Sequence, residues 1–132
     1  MTREKNHDLI ACNPIPLVDT AFNNQAIIPY GLHISHIKSA MNDFLEFLGF
    51  INTQMHTKKI PRLEHIMMTA NFSSLVGEFM VSSMPKYCET IAKNGYHNGH
   101  PDLLPANVFP NNTAQHVQEG IEVKGSRHKK GW

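Results

Sequence analysis

The chain has 132 residues, is 41% hydrophobic and 17% charged, and carries a formal net charge of +1. That is one domain's worth of chain with enough apolar residues for a modest core, which excludes a disordered, collagen-like or polyelectrolyte protein. Its two cysteines, Cys12 and Cys88, are too few and too far apart for a disulfide framework.

Residues 1–30 carry scattered Pro and Asn without a sustained period and read as an arm with short extended pieces. The first eight residues lack the apolar core of a signal peptide, and no apolar run is long enough to cross a bilayer. A cytoplasmic location is therefore expected. From residue 31 onward the chain reads as a single domain.

Between about Ile34 and Ile51, residues Ile34, Ile37, Met41, Phe44, Leu45 and Leu48 recur at helical spacing, with Lys38, Asn42, Asp43 and Glu46 on the other side. This pattern predicts an amphipathic helix. After a polar break at His56 to Lys59, Pro61 suits the first turn of a second helix containing Leu63, Ile66 and Met67. Around Asn71 the chain is expected to re-cap into a third helix. Leu75, Val76, Phe79 and Met80 form its stripe, and Pro85 interrupts it. A last helical turn or two is expected to reach Lys93, with Asn94-Gly95 as its stop.

Beyond Gly95 the texture changes to turn formers: Gly99, Pro101, Pro105, Pro110, Asn111 and Asn112. Strand-like pieces lie among them at Asp102 to Leu104, Asn107 to Phe109 and Gly120 to Lys124. The last of these alternates, with Ile121 and Val123 on one face and Glu122 and Lys124 on the other. Taken alone, Glu-x-Lys is what a solvent-facing strand carries.

Its neighbour gives it weight. Strands joined antiparallel by a turn about Asn112 would set Asp102 opposite Glu122, with Cβ atoms roughly 4.5–5.5 Å apart. Two carboxylates that close repel unless a cation lies between them, and hard oxygen ligands suit Mg²⁺, with Mn²⁺ as a substitute. Lys124 on the same face could orient an attacking water and neutralise charge on a reacting phosphate. His97 and His100 lack a third ligand at finger-like spacing and read as loop histidines near this polar site.

"Pro101-Asp102 … Glu122-Val123-Lys124" resembles the PD-(D/E)xK signature of the restriction-endonuclease-like nucleases, and the flanking residues look most like the type II restriction enzymes. The motif covers about the last quarter of the chain. The resemblance implies an α/β (α+β) restriction-endonuclease-like core, with N-terminal helices packed on a small mixed sheet. It also implies a Mg²⁺-dependent DNA endonuclease leaving a 5′-phosphate. Asp102 and Glu122 would be metal ligands together with the Val123 carbonyl, and Lys124 would stand beside the water. A helix glutamate often completes such sites; Glu78 matches best, with Glu89 and Glu64 as rivals. Members often act as dimers on double-stranded DNA. In that family the second motif strand is followed by a helix and a further strand, so a C-terminally truncated product with an incomplete sheet is expected. A nuclease of repair or recombination from the same superfamily, or a non-catalytic DNA-binding or interaction module, fits the same residues. The basic groups Lys58, Lys59, Arg127, Lys129 and Lys130 are candidates for phosphate contacts.

Overall fold

The computed structural model describes residues 12–126, and the candidate phosphate contacts Arg127, Lys129 and Lys130 lie outside them. Helix α1 spans Ile34–Thr57, α2 Leu63–Ile66 and α3 Thr69–Ser83; strands β1, Ile91–Lys93, and β2, Leu103–Pro105, follow. Short 3₁₀ turns occupy Asp19–Ala21, Met84–Lys86 and Pro110–Asn112. The fold is thus α+β, helices first and a two-stranded antiparallel sheet after them. Among the described residues no helix is long and apolar enough to cross a membrane.

The periodic stripe makes α1 as expected, but the helix continues to Thr57, past the expected end at Ile51. At its start the His33 N–H donates to Nδ1 of His36 (3.0 Å), which satisfies one of the amides that a helix N-terminus leaves without an intrahelical partner. The Ile60 N–H closes the other end on the Met55 carbonyl. Buried Asn52 donates to Glu64 Oε1 (3.0 Å) and accepts from the Leu63 N–H (2.8 Å), which ties α2 to α1.

The other helical expectations need correction at their ends. Helix α2 is a single turn from Leu63 to Ile66, so Pro61 and Met67 lie outside it. Helix α3 begins at Thr69, before Asn71, and ends at the 3₁₀ turn containing Pro85. The largest difference is at Ile91–Lys93, expected to be helical and in fact β1, with Ile91, Ala92 and Lys93 paired to Pro105, Leu104 and Leu103. Residues 107–109 are a turn and not a strand.

Two apolar clusters hold the layers together. Phe44 and Leu48 of α1 meet Phe72 of α3, with the Phe44 and Phe79 rings edge-on at 5.3 Å. The second cluster joins Leu32, Ala40, Met80, Val81, Met84, Cys88, Ile91 and Leu103, with Ile121 and Val123 packed against it. Leu103 and Leu104 are fully buried, each contributing about 1.5–3 kcal/mol by leaving water. That burial anchors β2 as the central strand, with β1 on one side and Ile121 bridged on the other.

A polar tie joins α1 to the end of α3. One oxygen of Asp43 accepts from the Tyr87 hydroxyl (2.7 Å), the Lys86 ammonium (2.9 Å) and the Ser83 hydroxyl (2.9 Å). The Tyr87 and Lys86 hydrogen bonds hold its carboxyl below the usual carboxylate range. A carboxyl lowered in the folded state stabilises it fully above the unfolded-state value, about 3.9, and that contribution fades as pH falls through the folded-state value. Asp43→Asn is therefore expected to melt below the parent chain at pH 7. The gap between the two should narrow in acid; a gap that stays constant from pH 7 to pH 3 counts against the tie.

Candidate active site

Asp102 stands partly buried at the start of β2, positioned by backbone on both sides. Its carbonyl accepts from the Asn94 N–H (2.9 Å). Asn94 is itself buried and fully used: Nδ2 donates to the carbonyls of Pro101 (3.0 Å) and Ala114 (2.8 Å). Its Oδ1 accepts from the amides of Tyr96 (3.0 Å) and Ala114 (3.1 Å). Asn94 is thus a hub that fixes the loop delivering Asp102. Asn94-Gly95 was expected to stop a helix, and no local signal marks Asn94 as this hub.

The other motif segment pairs in the expected register. Leu103 and Ile121 exchange both backbone hydrogen bonds, at 3.0 and 2.9 Å. The connection is not a simple hairpin, because His100 and His116 form a parallel bridge on the way and Pro110–Asn112 is a 3₁₀ turn. Gly120 to Lys124 is correspondingly an extended segment with one bridge, not a laddered strand. Past that bridge the Val123 N–H donates to Oδ2 of Asp102 (2.9 Å) instead of to a backbone carbonyl.

That substitution changes which side chains meet. An open cavity of about 1130 Å³ lies between α3 and the segments 93–99 and 123–125; Glu78, Lys93, His97, Asp102, Val123 and Lys124 line it. The Val123 carbonyl oxygen faces α3 at Gly77, 3.7 Å from where a Cβ would stand there. Of the residues expected to converge, Asp102, Val123, Lys124 and Glu78 do so. Glu122 does not line the cavity: Oε1 lies 3.1 Å from Nδ1 of His100, and both side chains are exposed. The expectation that Glu122 and Lys124 share a working face is corrected accordingly, since a period of two holds only along a continuous ladder.

The rival carboxylates stand elsewhere. Glu64 is engaged by Asn52, and Glu89 is exposed and is not among the cavity residues. Lys58 and Lys59 are exposed at the end of α1 and are likewise not among the cavity residues.

For a divalent cation the donors bordering the cavity are of the right kind: the carboxylates of Asp102 and Glu78 and the carbonyl of Val123 are hard oxygens. Among the described residues no three His, Cys, Asp or Glu side chains are gathered into a ready-made metal set. A cation here would therefore rest on Asp102, the Val123 carbonyl and a carboxylate brought in by side-chain rotation.

No family model, no curated protein and no solved structure matches this chain.

Proposed function

We propose that the chain carries the site of a metal-dependent DNA endonuclease of the restriction type, built on a restriction-endonuclease-like core. The supporting observation is the Leu103–Ile121 pairing, which sets Asp102 against Val123 and gives Asp102, Val123 and Lys124 one cavity opposite Glu78.

In this reading Asp102, the Val123 carbonyl and Glu122 would hold Mg²⁺ or Mn²⁺. The bound cation supplies charge neutralisation at the phosphate and an acidified water. To join them Glu122 would have to leave His100. An exposed pair of this kind is worth only about 0–1 kcal/mol, so the rotation is cheap. Lys124 orients the attacking water and stabilises the charge that builds on the phosphoryl oxygens. Glu78 faces the same space from α3 as the third carboxylate. The water would give up a proton to solvent as it adds to phosphorus, the P–O3′ bond would break, the 3′ oxygen would leave as a hydroxyl with a proton from solvent, and the 5′-linked side would keep the phosphate.

The direct test is nicking of supercoiled plasmid by the full chain, in parallel with its melting temperature, in millimolar Mg²⁺ or Mn²⁺ and in EDTA. The expected result is metal-dependent nicking and a melting temperature several degrees higher with the ion. Neither response to either ion would sink the reading.

The His100–Glu122 pair favours a second reading, a DNA-binding module in which the acidic face is incidental. Such a module binds DNA equally well in Mg²⁺ and in EDTA and cuts nothing.

A further inference from the structure

The cavity holds a cation that the motif does not account for. Lys93 ends β1, is exposed, and points its ammonium to within 3.3 Å of the Ser82 hydroxyl near the end of α3. Most described cations near a carboxylate are committed to it: Lys38 to Asp19, Arg62 to Glu64 and Lys86 to Asp43. Lys93 and Lys124 form no ion pair among the described residues, although Asp102 and Glu78 line the same cavity. The Asp102 carboxylate is instead turned to the Val123 amide. Two ammonium groups without a carboxylate partner, on residues that line one open space, suit an anionic ligand.

The two come from different elements, which suits an anion with more than one phosphate. The Val123 carbonyl faces α3 at Gly77 and the Lys93 ammonium reaches it at Ser82. Five residues at 1.5 Å each set these points about 7.5 Å apart along the axis, and about 3.6 residues per turn sets them on different sides of the helix, so Lys93 is well removed from the Val123 end of the cavity. We propose that Lys93 binds a phosphate flanking the scissile one, making β1 and the end of α3 a second anchor for the cleaved strand. This rests on the endonuclease reading for the identity of the ligand. Lys93 is a binding residue here and takes no part in the bond-breaking step.

The test reads binding without cleavage: fluorescence anisotropy of a short labelled duplex with the full chain in EDTA, over 50 to 200 mM salt. Each phosphate contact contributes about 0.9 to the slope of log affinity against log salt. Lys93→Met should lower the magnitude of that slope by about 0.9, so that it loses roughly threefold less affinity than the parent chain across that range. Lys93→Arg should restore the slope, because the contact needs charge and not the lysine shape. A melting curve shows whether Lys93→Met is folded; Lys93→Gln, with a polar head for Ser82, replaces it if not. An unchanged slope in the folded neutral variant overturns the proposal. So does failure of Lys93→Arg to restore it, or a parent chain that does not bind duplex at 50 mM salt. The two readings fail separately: a chain that never cuts yet loses slope at Lys93 keeps the phosphate contact and loses only its place beside a scissile phosphate. A chain that cuts while the neutral variant keeps its slope loses this inference alone.

Discussion

On the endonuclease reading, Asp102→Asn is expected to abolish the rise in melting temperature with Mg²⁺ and to lower cleavage at least about a hundredfold, while the metal-free protein melts close to the parent. The substitution is close to isosteric, and an amide oxygen can still accept from the Val123 N–H that the carboxylate holds at 2.9 Å. The fold therefore keeps its link between β2 and the 121–124 segment and loses only charge. A ligand at a hundred times its Kd adds about 2.7 kcal/mol to native stability, and for a chain of this size each kcal/mol is worth roughly 2–8 °C. The missing shift is thus easy to read by calorimetry. Lys124→Ala should behave differently. It is expected to keep the metal response and most DNA affinity and to lose about 10²–10⁴ in turnover, because the work proposed for Lys124 lies in the transition state. Asp102→Asn that responds to Mg²⁺ like the parent would move the cation elsewhere, and Lys124→Ala that turns over normally at saturation would reduce Lys124 to a phosphate contact.

How much of this was legible depends on how local each signal is. Helix α1 could be read because Ile34, Ile37, Met41, Phe44 and Leu48 repeat at its own period, and burial of Phe44 and Leu48 follows from it. The Leu103–Ile121 register could be read because Asn111 and Asn112, both at positive φ, mark the turn between them. Strand β1 could not. Its three residues follow a helix and a 3₁₀ turn, with Glu89 and Lys93 giving helix-like composition, and only pairing with the buried β2 makes them extended. Asn94 was hidden for the same reason, since its partners Pro101 and Ala114 lie 7 and 20 residues away. The turning of Glu122 toward His100 depends on a side chain, Asp102, capturing a backbone amide that strand geometry would assign to the ladder. Alternation in a sequence assumes a ladder that this segment keeps at one residue only.

That single bridge is also where the fold is most sensitive. Gly120 precedes Ile121 with φ of +148°, a conformation that side-chain-bearing residues rarely adopt. A Cβ there would lie 2.1 Å from Cγ of Pro101 and 2.3 Å from the Leu103 carbonyl oxygen. That oxygen already accepts the Ile121 amide at 2.9 Å, and the Gly120 amide reaches the Tyr30 hydroxyl at 3.2 Å. Neither clashing atom can give way cheaply, because Pro101 is buried and held by Asn94 and Leu103 is in the centre of the core. Gly120→Ala therefore has to break the Leu103–Ile121 exchange, at about 3 kcal/mol or more for strain and overpacking together. The expected result is a melting temperature lower by roughly 10 °C. Protection of the Leu103 and Ile121 amides against hydrogen exchange should fall first, while the α1–α3 contacts around Phe44 and Phe72 persist. Because Asp102 and Lys124 belong to the two segments that this bridge joins, any cavity function should fall with it even below the melting temperature. A variant that melts within a degree of the parent, with both amides still protected, would show that the 120–124 segment can pair with β2 in some other way and that the bridge does not set the geometry of the cavity.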